Sequence, residues 1–199
     1  MTRFLVVLCM AVLLGGAANT ASATLIDFDD GTAGLAVGSF YPGVTFSNTQ
    51  WTGNLGLPGG SGALGIIPIT YDGWEYHWLE PHAVVATFSA ATSSVSIVGL
   101  DVGMNGLTLK AYDAAVGGNL IGSSTVYGVT EAGVGEFYTV GLSVPGIMRV
   151  EMFQPLDPYG DGILLDDFSY GTVVPVPSSL LLLVPGLAGV RAIRRRLGR

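Results

Sequence analysis

Five aspartates lie near the two ends of the central segment of the chain. Asp27, Asp29 and Asp30 come at its start, and Asp166 and Asp167 come near its end. Calcium takes six to eight oxygen ligands, and several acids gathered without bases nearby favour its binding. If the first and last strands are neighbours, the sequence predicts a structural calcium site formed by Asp27, Asp29, Asp166 and Asp167. The alternative is that the early aspartates belong to a turn and that Asp166 accepts hydrogen bonds from backbone N–H groups.

The second aspartate pair lies in a predicted strand at residues 163–170. Alternation along this strand places Asp166 on the same face as Leu164 and Phe168. That face is apolar, so Asp166 is expected to point inward. A carboxylate in such a place needs a cation or hydrogen-bond donors.

A stretch at residues 71–82 combines aromatic and acidic side chains. If it is a strand, alternation places Trp74, Tyr76 and Trp78 on one face. Such a face is suited to neutral sugars, because rings stack on C–H faces while carboxylates accept hydrogen bonds from hydroxyls. The pattern predicts a ligand platform. The alternatives are that the rings pack in or beside the core, or that paired carboxylates hydrolyse a glycosidic bond, the available acids being Asp72, Glu75 and Glu80.

Other catalytic and metal-binding motifs are missing from the sequence. It contains no Gly-x-Ser-x-Gly, no His-Glu-x-x-His and no phosphate-binding glycine loop with its lysine. His77 and His82 are five residues apart, so a strand points them to opposite faces and a helix misses the i, i+4 spacing of zinc sites. The sequence therefore predicts a protein that is not an enzyme and has no certain cofactor, with structural calcium as the one candidate.

The sequence around these candidate residues has the pattern of an all-β protein, in which short strands alternate with turns. Short runs rich in β-branched and aromatic residues recur between turn signals that contain Gly, Asn, Asp and Pro. The predicted strands are residues 25–28, 44–46, 84–88, 95–98, 107–112, 120–127, 137–140, 147–153 and 163–170. Their number and spacing are typical of a β-sandwich of the jelly-roll type. The glycine-rich stretch 53–65 is expected to be a loop or a strand edge.

The N-terminus has the features of a secretory signal peptide. Arg3 precedes an apolar run at residues 4–14, and Ala21 and Ala23 form a small-x-small cleavage site. Residues 1–23 are therefore predicted to pass through the Sec translocon and to be removed by signal peptidase. The single cysteine, Cys9, leaves with them, so the mature chain is expected to have no disulfide.

The C-terminus combines a proline-rich motif, an apolar stretch and a basic end. The motif is Val174-Pro175-Val176-Pro177 in the linker 172–179, and the apolar stretch spans residues 180–190. The basic end, 191–199, is predicted to stop translocation through the positive charges of Arg191, Arg194, Arg195 and Arg196. Eleven apolar residues are short for a bilayer span of about 20, so the predicted transmembrane helix is a temporary anchor.

This order of parts resembles the bacterial PEP-CTERM proteins, whose C-terminal signal is recognised by an exosortase. The central residue of the motif is Val176 rather than glutamate, which makes it a Val-Pro-x-Pro variant. The resemblance implies an exosortase-type processing enzyme as a partner. Residues 24–171 also loosely resemble a domain often found before this tail, through segments such as 26–30, 41–46 and 165–171. That second resemblance implies a jelly-roll sandwich similar to carbohydrate-binding modules.

Charge narrows the possible partners further. With fifteen acidic and two basic residues, the segment 24–171 carries a formal charge of −13, which repels phosphates and argues against nucleic acid. The sequence predicts an exported protein that is tethered at the inner membrane as a precursor and sorted to the cell envelope or extracellular matrix. Association with exopolysaccharide is the expected role there. The alternatives are a glycan hydrolase and a structural matrix protein without a ligand.

Overall fold

The computed structural model describes residues 23–70, 78–131, 134–156 and 162–171, within one compact unit, Ser22–Val173. Nine strands form the regular structure of these residues, together with a 3-10 turn at Glu80–His82. The strands are β1 (Ala23–Ile26), β2 (Val44–Ser47), β3 (Thr49–Gly53), β4 (Leu64–Pro68), β5 (Val84–Leu100), β6 (Leu107–Tyr112), β7 (Leu120–Val126), β8 (Phe137–Phe153) and β9 (Leu164–Gly171). The prediction of an all-β domain is confirmed.

No helix in this part of the chain is long and apolar enough to cross a membrane. The predicted signal peptide 1–23 and sorting tail 172–199 lie outside the described residues, except for Ala23. The expected transmembrane helix over residues 180–190 therefore stays a prediction.

All nine strands belong to one antiparallel sheet, in the order β3-β4-β9-β5-β8-β6-β7. Two further strands pair beside this path, β1 with β9 and β2 with β5. The neighbours β5 and β8 contain 17 residues each and run far beyond the others. Their pairing is irregular between Thr87 and Ser94, where the ladder changes direction and divides the sheet into two layers.

Each half of the β5–β8 ladder carries its own set of strands. The first layer joins β3, β4, β9 and β1 to residues 94–100 of β5 and 137–143 of β8. The second layer joins β2, β6 and β7 to residues 84–88 of β5 and 149–153 of β8. Phe46 of the second layer meets Phe168 of the first with ring centroids 5.3 Å apart. The two layers therefore face each other as a β-sandwich.

Every strand contributes apolar side chains to the main core between the layers. A smaller outer cluster of Ile67, Leu100 and Leu164 lies on the other face of the first layer. Neighbouring residues alternate between the two, since Ile66 and Leu165 belong to the main core. Around this outer cluster the first layer is thus buried on both faces, which period-2 side-chain alternation allows when a loop covers the outer face.

One lateral side of the sandwich is closed by residues 34–38. Gly34 and Val37 donate N–H groups to carbonyls of β3, at 2.8 and 2.9 Å. Gly38 accepts the N–H of Phe46 in β2 at 2.8 Å. This covering segment therefore satisfies the edge strands of both layers on that side, as edge strands require.

Substitution of Phe168 tests the contact between the two layers. It is fully buried and touches the rings of Phe46, Phe88 and Tyr170. We expect Phe168→Ala to lower the free energy of unfolding by about 3–5 kcal/mol, because it removes a large buried ring and leaves a cavity. Urea denaturation measures this loss. The control Phe40→Ala, at a ring that is 52 % exposed, should cost clearly less, and equal losses would contradict the layered core.

Candidate functional site

A β-bulge in β9 sets the position of the predicted aspartate pair. Ser96 pairs with Ser169 and Val98 pairs with Asp166, so two residues of β9 stand opposite Ile97 alone. Asp167 takes the left-handed conformation with φ 48°, which aspartate tolerates better than most residues. The extra residue reverses the facing of the strand beyond it.

The bulge corrects the alternation expected from the sequence. Leu164 belongs to the outer cluster, whereas Phe168 lies in the main core. Asp166 is fully buried and its carboxylate lies on the outer side. The prediction that it shares a face with Leu164 is therefore confirmed, and the prediction that it shares a face with Phe168 is wrong. The reason is that a simple period of 2 does not anticipate a bulge between the two residues.

A glycine-rich loop, residues 54–63, covers Asp166 on this outer face. A Cβ at Gly60 would lie 2.3 Å from Asp166 Oδ2 and 2.9 Å from Leu100 Cδ1, and one at Gly62 would overlap the Asp29 carboxylate. Asn54 ties the loop together by donating its side-chain N–H to the Gly62 carbonyl at 2.7 Å. The glycines are therefore required by close packing of backbone on carboxylates.

The other predicted calcium ligands each bond within the protein. Asp29 Oδ1 accepts the N–H groups of Ala63 and Leu64, at 2.7 and 3.0 Å. Asp167 Oδ1 accepts the Ser61 hydroxyl at 2.6 Å. Asp27 Oδ1 accepts the N–H of Asp29 at 3.3 Å. Asp29 and Asp167 thus bind the glycine-rich loop and its end, whereas the hydrogen bond of Asp27 is local.

The described residues do not assemble the predicted calcium site. Antiparallel pairing of β1 with β9 does bring the two ends of the domain together, as the sequence reasoning required. No three acidic, histidine or cysteine side chains in the described ranges are placed to hold a metal ion, however. The carboxylates instead serve the alternative role, as acceptors of backbone N–H and hydroxyl groups.

Asp166 has the most perturbed carboxyl group of the site. Burial raises its pKa to about 7, and the negative charges of Asp167 and Asp29 act in the same direction. The N–H of Asp167 donates to Asp166 Oδ1 at 2.8 Å and opposes the shift. Asp166 therefore changes its charge in the neutral pH range beneath the glycine-rich loop.

The structure corrects the assignment of Trp78 to a ligand platform. Its side chain is fully buried in the main core, so its ring offers no face to a ligand. Its backbone also exchanges hydrogen bonds with Gln154, which donates its N–H to the Trp78 carbonyl at 3.1 Å. Core packing, the alternative weighed above, applies to this residue. Trp74, Tyr76, Asp72 and Glu75 lie outside the described residues.

Glu80, the remaining acid proposed for hydrolysis, forms an ion pair. Its carboxylate lies 2.5 Å from the Lys110 ammonium, which also sits 5.0 Å from the Phe153 ring. The other cation of the domain, Arg149, pairs with Glu151 at 3.3 Å and lies over the Tyr112 ring. Both basic residues of segment 24–171 are therefore engaged on the surface of the second layer.

An aromatic cluster beside the covering segment was not anticipated from the sequence. The Phe40 ring is half exposed and stands edge-on to Tyr41 and Trp51, at 5.0 and 5.1 Å between centroids. The Tyr41 hydroxyl donates to Asp30 at 2.6 Å, and burial together with this bond raises the pKa of Tyr41. An exposed ring next to a carboxylate is the combination sought for sugars in residues 71–82. Phe40 and Tyr41 are consecutive in the sequence, but Asp30 and Trp51 join them only in the fold.

The predicted processing sites fall almost entirely outside the described residues. These include Ala21, the motif Val174-Pro175-Val176-Pro177 and the arginines Arg191, Arg194, Arg195 and Arg196. Ala23 is the exception. It begins β1 and pairs with Gly171, the last residue of β9.

No protein-family model matches the chain, and no curated protein matches it. Among solved structures it is similar to the K2 cleaved adhesin domain of Lys-gingipain, with TM-score 0.47, 16 % identity, and coverage of 75 % of this chain and 97 % of that one. The K1 domain from Porphyromonas gingivalis W83 gives TM-score 0.47, 10 % identity and coverage of 77 % and 99 %. CsCBM6-3 from Clostridium stercorarium, solved with cellobiose, gives TM-score 0.36 and 14 % identity, with coverage of 76 % of this chain and 94 % of that one.

Replacing Asp166 by asparagine should change how stability depends on pH. The folded pKa of about 7 lies above the usual value of about 3.9, so the folded protein holds a proton that the unfolded chain releases between these values. The free energy of unfolding of the wild type should therefore fall as pH rises through this window, by at most about 1.4 kcal/mol per pH unit, and then level off. Asp166→Asn should lack this component.

The measurement is urea denaturation of both proteins between about pH 5 and pH 8. As pH rises, Asp166→Asn should become more stable relative to the wild type, since the neutral amide avoids burying a charge. A difference that stays constant with pH would contradict the buried, titrating carboxyl group.

Proposed function

We propose that this chain is an exported, non-catalytic β-sandwich that a C-terminal sorting signal delivers to the cell envelope or extracellular matrix. The observation that carries the proposal is the pairing of Ala23 with Gly171. Residues directly opposite in an antiparallel pair have Cα atoms about 4.5–5.5 Å apart. The chain therefore enters and leaves the domain at one place on the sheet, directly after the predicted leader and directly before the predicted tail.

This arrangement suits a domain that is processed at both ends. Signal peptidase would cut after Ala23, which leaves Thr24, Leu25 and Ile26 paired with β9. An exosortase-type enzyme would act at the motif of residues 174–177, which follows Gly171 by only a few residues. Neither cut removes a side chain of the main core, so the domain can stay folded while its connection to the membrane changes.

A non-catalytic role is supported by how the acidic residues are used. Asp29 and Asp167 accept hydrogen bonds from the glycine-rich loop, and Glu80 forms an ion pair with Lys110. These contacts hold strands and loops together. A glycosidase of the usual type needs two free carboxyl groups facing a substrate across a groove.

Association with exopolysaccharide is the role we propose at the destination. The half-exposed Phe40 ring, with Tyr41 and Trp51 behind it and Asp30 bonded to Tyr41, supports it. A flat ring can stack on the C–H face of a sugar, and nearby carboxylate oxygens can accept from its hydroxyls. The high negative charge of segment 24–171 favours a neutral polymer over an anionic one.

Removing residues 178–199 tests the sorting proposal. We expect the truncated chain to appear in the soluble fraction, because the apolar stretch and the terminal arginines are lost together. Cell fractionation and immunoblotting of the full and truncated chains measure this. As a matched control, Pro175→Ala with Pro177→Ala keeps the anchor and should leave an uncut, membrane-bound precursor. A truncated chain still bound to membranes would instead indicate anchoring by the N-terminal segment.

Phe40→Ala tests the polysaccharide proposal. We expect it to weaken retention of the exported chain on a column of neutral exopolysaccharide, by roughly the 1–3 kcal/mol that a stacked aromatic contributes. Tyr127→Ala is a control of equal exposure, 52 % for both rings, and should bind like the wild type. Weaker retention of Tyr127→Ala alone would indicate that the sugar binds at another surface. No binding by the wild type would favour a structural matrix protein without a ligand.

A further inference from the structure

The side of the sandwich opposite the covering segment exposes two strand edges. Among the described residues, β7 pairs only with β6, and residues 137–143 of β8 pair only with β5. The two edges lie together, since a Cβ at Gly122 would be 3.4–3.5 Å from Val144 and Leu142. We call β7 and residues 137–144 of β8 the open side. An open edge presents unpaired N–H and C=O groups, which an extended polypeptide can bind.

Apart from one bulge in β7, the open side lacks the features by which proteins usually protect an edge. Residues 114–130 contain no charged residue and no proline. The pairing of β7 with β6 has one irregularity, at Ile121, after which Gly122–Val126 runs in regular register. Lysines, prolines and repeated bulges are the usual protection, so β7 remains free to pair.

Many of the exposed apolar side chains lie in β7, in the turns on either side of it, or at the start of β8. Thirteen large hydrophobic side chains are exposed in the described residues, and six of them fall between residues 116 and 137. They are Val116, Leu120, Tyr127, Val129, Val134 and Phe137. Single exposed apolar residues are ordinary, but a concentration beside an open edge marks an interaction surface.

We propose that the open side binds a second copy of this chain, with β7 of the two copies side by side and antiparallel. Antiparallel pairing of identical strands follows from a two-fold axis, the commonest symmetry of oligomers. It would set Ser123 and Thr125 of one copy against those of the other, and hydroxyl residues form favourable cross-strand pairs. The Thr125 hydroxyl also shares a hydrogen bond with Thr108 of its own chain at 2.8 Å.

Charge supports a second copy as the occupant. Each copy carries −13 over residues 24–171, so approach through acidic surfaces is opposed by repulsion. Neither open edge carries a charged side chain, because residues 137–148 of β8 are also uncharged. Two like-charged copies can therefore meet here. The inference does not depend on the sorting tail and would hold if the chain were delivered in another way.

Cysteine cross-linking in the full chain tests the position of the contact. Thr125→Cys lies on β7, and Thr45→Cys is a matched control on β2, whose edge is covered; both threonines are exposed. Cys9→Ser in both proteins leaves one thiol per chain. A thiol reagent that spans about 8 Å reaches direct and diagonal cross-strand neighbours. We expect a cross-linked dimer from Thr125→Cys and almost none from Thr45→Cys. Equal yields would overturn the proposal.

A charge variant tests the energetics. The detergent-solubilised full chain should sediment with twice the mass of one chain, and Thr125→Lys should return it to a monomer by placing two like charges at the edge. Thr45→Lys should stay dimeric, and matching far-ultraviolet circular dichroism spectra of the two variants would show that both are folded. A monomeric wild type, or a dimeric Thr125→Lys, would overturn the proposal. So would a wild-type monomer that binds phosphatidylcholine vesicles through this side.

Discussion

The antiparallel ladder between β5 and β8 is the constraint on which the rest of the structure depends. Both strands continue from one layer into the other, so a single bend near residues 87–94 sets how the layers face each other. Pro145 and Gly146, the latter with φ 88°, lie at the corresponding part of β8. The remaining strands add to the two halves of this ladder, and their inward side chains fill the main core. Most of the burial that stabilises the domain follows from that arrangement.

The same topology separates the surfaces by role. The two ends of the domain meet at Ala23 and Gly171. Residues 34–38 close one lateral side and carry Phe40 just beyond them, while on the other side two uncharged edges pair with no further strand of the described residues. The outer face of the first layer is occupied by the glycine-rich loop above Asp166. The proposed anchoring, sugar contact and self-association therefore involve different parts of the surface.

Strand positions were predictable where a strand alternates in its own sequence, as in β6. Two kinds of feature were not. The runs at residues 84–88 and 95–98 belong to one strand, because the small residues between them continue the ladder through its bend. The strands β3 and β4 reach into the glycine-rich stretch at Gly53 and Leu64, since Trp51 and Ile66 supply the core contacts that the glycines lack. Propensity is overridden there by packing against distant neighbours.

The sequence by itself determined the all-β character of the domain and placed its candidate aspartates in the first and last strand segments, whereas the pairing of these strands was a condition that the structure met. The first two follow from local patterns. Only the tertiary structure decided that Trp78 is core, that three aspartates bind backbone or hydroxyl groups, and that Phe40 is exposed beside Asp30's partner Tyr41. The facing of a side chain depends on register and bulges set between residues far apart in the chain, and a one-residue shift reverses it.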